Sequence, residues 1–239
     1  MSRYHAVLFD FFGTLTTAVH RGPGHANIAR WLGCDPVAFA AQLDRSFRVR
    51  ARGGYGPPAD ALRKVIREAG GRPAERRLAV ALSARPAAVR ADTRLRPDAV
   101  PVLAALRSSG VPTALVSDCG PELPLFLSTL PVAPLLSTCV YSIEIGACKP
   151  DPRMYLTACA RLGVAPADCL YVGDGGGREL TGAAAVGMAA VRLAAPDLDR
   201  HLQFEADTAW TGRSAATLAE AVAPVLDARV SVPGRPAAR

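Results

Sequence analysis

Five acidic or basic side chains stand where apolar runs end, or in a turn between them. The run VLFDFFGTLT carries Asp10, LVSDCG carries Ser117 and Asp118, and YVGDGGGREL carries Asp174, with Glu179 five residues further on. Lys149 stands in the turn GACKPDP; it and Lys64 are the only lysines among 28 basic residues. A carboxylate can act as a nucleophile and split one hard displacement into two easier ones. A lysine ammonium is a compact point charge suited to neutralising an anion. Taken singly, such residues also cap helices and close turns. Their common placement at strand ends is what gives them weight, because ligands of doubly wound sheets bind just beyond the carboxyl ends of the strands.

The elements that must position them follow from the apolar pattern. AVLFD (6–10), VPTALVSD (111–118), DCLYVGD (168–174) and MAAVRLA (188–194) are continuous apolar runs, the mark of parallel strands covered on both faces. Helices are expected over 96–110, stopped by Gly110, and over 150–163, opened by prolines and ended by Gly163. A weaker strand over 206–210 and a helix over 214–226 complete the alternation, and 228–239 read as a frayed tail. Residues 18–94 break the rhythm. They read as helices only, HANIARWLG, DPVAFAAQLDRSFRVR, PADALRKVIREAG and AERRLAVALSARPAAVRA, punctuated by GGYGPP and GGRP. The expected fold is α/β, a Rossmann-like doubly wound parallel sheet formed by 1–17 and 95–227, with 18–94 as an inserted α-helical lid.

Half of the 239 residues are apolar and 21% are charged, enough for a sizeable core. No apolar run reaches the ~20 residues of a membrane span, and MSRYHA leads straight into the first strand without a signal peptide. A cytoplasmic protein is expected, with its six cysteines reduced, since they form neither CxxC pairs nor a disulfide framework. Between residues 18 and 95 there are 15 Lys or Arg against 6 Asp or Glu. Such a basic segment suits a small anionic substrate. Nucleic acid is not expected, because the basic residues are not interleaved with aromatics and no binding motif is present.

The four motifs FDFFGTLT, LVSDCG, CKPDPRMY and YVGDGGGRELTGAAAVGM, in this order, resemble those of the haloacid dehalogenase (HAD) superfamily, and the insertion resembles its C1-type cap. The resemblance implies Asp10 as the nucleophile and Thr14 as the residue that orients its loop. Ser117 would donate a hydrogen bond to the transferred group, and Lys149 would neutralise charge around Asp10. Gly13, Ser117 and Asp118 would contact substrate. Asp10, the backbone carbonyl of Phe12, Asp174 and Glu179 would hold Mg2+, an ion suited to hard oxygen ligands.

Phe12 departs from the pattern. Phosphatases of the superfamily carry a second aspartate there, an acid and base of the kind typically worth ~10²–10⁴-fold. Three readings follow. One is a Mg2+-dependent phosphatase acting on phosphoesters or phosphoanhydrides with good leaving groups, or drawing its acid from His20, His25 or the substrate. The second is a 2-haloacid dehalogenase, since halide leaves without a proton and dehalogenase relatives carry an aromatic residue at this position. The third is a weak or inactive binding protein on the same fold.

Overall fold

A sheet buried on both faces is what the apolar runs demand, and the computed structural model, which describes residues 4–72 and 74–230, contains one. Strands β1 (Ala6–Phe9), β2 (Thr113–Ser117), β3 (Thr138–Tyr141), β4 (Cys169–Gly173), β5 (Ala189–Leu193) and β6 (Ser214–Ala215) are all parallel, in the order β3-β2-β1-β4-β5-β6. The winding reverses between β1 and β4, so the carboxyl ends of these two strands flank the crevice where doubly wound sheets take their ligands.

Between β1 and β2 the chain leaves the sheet for α1 (Pro23–Trp31), α2 (Pro36–Arg45), α3 (Phe47–Ala51), α4 (Pro58–Glu68) and α5 (Glu75–Ala91). These helices bury an apolar cluster of their own, including Ile28, Leu32, Phe39, Leu43, Leu62, Ile66 and Leu78. The two connecting passes run side by side, with Thr16 bridged antiparallel to Leu95 and Thr17 donating its N–H to the Arg94 carbonyl at 2.8 Å. On the sheet, helices α6 (Ala99–Ser108), α7 (Glu122–Leu127), α8 (Ser142–Ile145), α9 (Pro152–Leu162), α10 (Glu179–Ala185) and α11 (Leu218–Val230) follow the strands. Strand alternation divides their contacts. Val7, Phe9 and Leu115 face Leu103 of α6 and Val222 of α11, whereas Leu8 and Val116 face Met154 and Tyr155 of α9 and Leu180 of α10.

Three expectations about elements are corrected. Residues 206–210 form no strand: Asp207 instead accepts both the N–H and the hydroxyl of Thr181, pinning the start of α10, and the sheet edge is taken by Ser214–Ala215. The helix expected from 35 to 50 breaks at Ser46, whose Oγ donates to the Gln42 carbonyl at 2.6 Å and so competes with the backbone ladder. The last helix starts at Leu218 and runs through Val230, so residues 228–230 are helical, while 231–239 lie outside the described residues.

Candidate active site

Three carboxylates from two separate loops meet around one ammonium. Asp10 follows β1, while Asp174 and Glu179 follow β4 and open α10. Lys149, 2% exposed, places its Nζ 2.5 Å from Asp10 Oδ1 and 2.5 Å from Glu179 Oε2. One oxygen each from Asp10, Asp174 and Glu179 lie within 4.8 Å of one another. Burial alone would pull the Lys149 pKa down, but Asp10 and Glu179 outweigh it and hold the group as an ammonium. One ammonium cannot neutralise three acids. Burial, with neighbouring carboxylates adding to it, accordingly raises the pKa of Asp10 and raises that of Glu179 far more.

Glu179 is fully enclosed, and its partners account for both oxygens. Oε2 accepts from Lys149 and from the Tyr171 hydroxyl at 2.8 Å, and Oε1 accepts the Gly175 N–H at 2.9 Å. It stands as the counter-ion of Lys149 and still offers one carboxylate oxygen within 4.8 Å of oxygens of Asp10 and Asp174. Gly173 is required for this fit: a Cβ there would lie 2.1 Å from Glu179 Oε1.

The Asp10 loop, Phe11–Leu15, turns at Gly13, whose φ of 81° favours glycine. Its restraint comes from residues the motif reading did not single out. Thr16 Oγ1 accepts the Gly13 N–H at 3.0 Å, and buried Arg96 donates to the carbonyls of Gly13 and Thr14 at 2.9 and 3.0 Å. Thr14, expected to orient this loop, has a fully buried Oγ1 that meets no hydrogen-bond partner among the described residues, and the same holds for Ser117 Oγ. Both hydroxyls and Gly13 lie behind the cavity wall, whereas Asp10, Phe12, Asp118, Lys149, Asp174 and Glu179 line it.

Above the carboxyl edge lies a cavity of about 170 Å³. The insertion closes over it in two places. Phe47 stacks on Phe204 with ring centroids 4.3 Å apart, and Arg48 reaches the Lys149 carbonyl at 2.8 Å and Asp118 Oδ2 at 3.4 Å. Farther along, Arg85 of α5 meets Glu122 of α7 at 2.6 Å. The break at Ser46 separates the arginines around it: Arg45 turns to Gln42, while Arg48 and Arg50 line the cavity. His20 is exposed; His25 lines the cavity beside Asp92, with its pKa lowered by burial and by Arg85. His201 was not anticipated. Its Nδ1 accepts the Val19 N–H at 2.9 Å, so its Nε2 carries the proton and faces Asp174 Oδ2 at 3.5 Å, beside the Gln203 amide at 3.0 Å.

Asp118 yields a stability prediction. Burial pushes its carboxyl up to about 6, against the pull of Lys149, its backbone N–H and Arg48. Between the ordinary carboxylate range and that value the folded chain holds the proton that the unfolded chain has lost. Stability therefore falls as pH rises through this window, and the ionised group is a cost above it. Asp118→Asn keeps an acceptor for the Lys149 N–H and is neutral at every pH. Thermal scans should give a higher Tm than the parent near pH ~8, by about 2–4 °C for each kcal/mol relieved, and equal values near pH ~4. An equal or lower Tm at the higher pH would contradict this.

The donor set suits a hard divalent cation. Three buried carboxylates beside one ammonium, with an oxygen of each within 4.8 Å of the others, form the kind of hard-oxygen set that Mg2+ takes.

Comparison with known proteins adds to this geometry. The model of the haloacid dehalogenase-like hydrolases matches residues 4–187. A glyceraldehyde 3-phosphate phosphatase of Methanopyrus kandleri is 36% identical over 98 residues, 41% of this chain and 42% of the relative. An (S)-2-haloacid dehalogenase of Pseudomonas sp. is 38% identical over 100 residues, 41% of this chain and 43% of the relative. The chain thus spans less than half the length of these two curated relatives. Among solved structures, an L-2-haloacid dehalogenase from Xanthobacter autotrophicus with chloropropionic acid covalently bound superimposes with a TM-score of 0.63 at 20% identity, over 94% of this chain and 98% of its own, a likeness of fold.

Proposed function

The chain belongs to the haloacid dehalogenase-like hydrolases, and from that premise we propose that it is a Mg2+-dependent phosphatase of small anionic metabolites whose leaving groups need no proton from the enzyme. The observation that carries this reading is the excess of buried carboxylate around Lys149, which a dication would relieve and which halide displacement does not call for.

In this reading an Asp10 carboxylate oxygen attacks phosphorus and the leaving oxygen departs, forming an aspartyl phosphate. Water then attacks phosphorus, releasing phosphate and restoring Asp10. Lys149 holds Asp10 in place and offsets the charge gathering on the transferred group. Glu179 and Tyr171 keep Lys149 aimed at that oxygen. The Mg2+ would be held by Asp10, Asp174 and the Phe12 carbonyl, with Glu179 behind them, and when bound supplies charge stabilisation to the phosphoryl oxygens. Ser117 and Thr14, with hydroxyls that meet no partner among the described residues, are the donors such an anion could engage once the loop adjusts. Asp118 borders the same space, and Gly13 lies behind it next to His201 and Asp174. Phe12 packs edge-on against Phe11 at 4.9 Å and donates nothing, so substrates with good leaving groups, such as acyl and aryl phosphates, are favoured over alkyl esters.

Phe12 also supports one competing reading, dehalogenation of a 2-haloacid, in which Asp10 attacks carbon and halide leaves. A panel of acyl, aryl and alkyl phosphates and 2-haloacids, assayed with Mg2+ and with EDTA, separates the two. Phosphate release lost in EDTA supports the proposal; halide release indifferent to EDTA overturns it in favour of the dehalogenase. Phe12→Asp restores an acid at this position and should raise turnover of alkyl phosphates by at least ~10-fold, the lower part of the general-acid range being discounted for imperfect placement. No gain would argue against an empty acid position at residue 12.

A further inference from the structure

Arg50 and Arg85, both on the inserted helices, line the same cavity as Asp10 and Lys149, yet neither touches the cluster around Lys149. Arg85 lies inside α5 and is 8% exposed. Its Nε donates to Glu122 Oε1 at 2.6 Å, and its buried Nη1 has no hydrogen-bond partner among the described residues. A guanidinium that served only to pin α5 to α7 would be expected to grip the carboxylate through two parallel bonds; here one bond is made and the Nη1 amino group is left over.

Arg50 is the second cation, and no carboxylate among the described residues bonds it. Its Nε donates to Ser46 Oγ at 3.0 Å and its Nη2 to the Leu43 carbonyl at 2.8 Å, neutral acceptors both. The acids nearby are engaged elsewhere. Asp44 pairs with Arg21 at 2.5 Å, Asp92 with the Gly22 N–H and His25, and Glu122 with Arg85. Burial and the adjacent Arg85 push the Arg50 pKa down to about 10. Arginine does not shed its proton in proteins, so the strain of holding it there persists until an anion arrives.

We propose that Arg50 and Arg85 form an anion subsite in the wall of the cavity, which receives a second negatively charged group of the substrate, a carboxylate or a phosphate, while the reacting group lies at Asp10. This rests on the reading of the cavity as the place where a phosphorylated metabolite binds, and narrows that class to doubly anionic ones. The cavity of about 170 Å³ limits the span to a small molecule. The subsite is assembled from sequence positions that a motif search passes over, since Arg85 and Glu122 are 37 residues apart.

The test uses non-cleavable probes, so that it is read whether or not the chain hydrolyses anything. Calorimetric titration compares phosphonoacetate with methylphosphonate, and phosphonopropionate with ethylphosphonate, pairs that differ by one carboxylate. The parent should bind the better carboxylate-bearing probe about 10–100-fold more tightly than its partner, the range of one or two charge-assisted bonds. Arg50→Met and Arg85→Met should each reduce that ratio to about threefold or less. Because Arg85→Met strands Glu122, the pair Arg85→Met with Glu122→Gln is measured beside it. A parent ratio near one, or a ratio unchanged in Arg50→Met and in the double variant, overturns the subsite. The phosphate-release panel is scored separately. Preference without hydrolysis sinks the phosphatase reading and leaves the subsite standing, and hydrolysis without preference does the reverse.

Discussion

Asp10→Asn is expected to reduce turnover by at least ~10³-fold while leaving the chain folded, since losing a nucleophile removes a whole covalent route and not one stabilising contact. Asparagine is nearly isosteric and can still accept a bond from Lys149. It cannot attack phosphorus or carbon as a carboxylate does. The fold should tolerate the change because Asp10 is one of three acids sharing a single ammonium, and Lys149 keeps Glu179 at 2.5 Å. Removing one charge from that group eases repulsion that already raises the Asp10 pKa behind the effect of burial. Steady-state kinetics and a thermal scan on the same preparation check both halves. Retention of more than a few per cent of activity, or loss of the cooperative transition, would contradict the expectation.

Lys149→Met should be the most damaging single change to stability. The ammonium is enclosed, and its removal leaves Asp10, Glu179 and Asp174 facing one another in a space where charges are poorly solvated. Breaking a buried pair from one side typically costs about 3–5 kcal/mol, because the remaining charge is left uncompensated. Adding Glu179→Gln to Lys149→Met removes the most deeply buried of the stranded acids and should recover a large part of that loss, although turnover stays absent. The Gln oxygen can still accept from the Gly175 N–H, and its NH2 can donate to the Tyr171 hydroxyl in place of the bond Glu179 accepted. Urea denaturation of parent, singles and double closes the cycle, with a coupling of about 1–3 kcal/mol expected for residues in direct contact. Purely additive effects would show that Glu179 is not the partner that matters to Lys149.

What could be read from the chain was what lies next to a strand. Asp10, Asp118 and Asp174 were visible because each ends an apolar run, and Lys149 because lysine is so scarce in this arginine-rich sequence. β3 gives little signal: TCVY is four residues long, half of it only partly buried, with no clear helical pattern leading into it. β6, two residues, left no periodic signal. The residues that complete the site were hidden for a different reason. Arg96 and His201 act on backbone groups brought close only by folding, such as the Gly13 carbonyl, 83 positions before Arg96, while Thr16 acts locally on the Gly13 N–H in a turn with no periodic signal. Glu179 was legible as an acid near the site, but its commitment to Lys149 and Tyr171 depends on Tyr171 facing the same side of β4, which spacing alone does not reveal.

Catalysis in this site rests on a transient bond between Asp10 and the group being transferred. Rapid acid quench during turnover of an acyl or aryl phosphate, followed by peptic digestion and mass spectrometry, reads that bond directly. The peptide containing VLFDFFGTLT should gain the mass of one phosphoryl group, fragmentation should place it on Asp10, and the gain should be absent from Asp10→Asn. Turnover with no adduct on that peptide, together with hydrolysis that persists in Asp10→Asn, would contradict the covalent route.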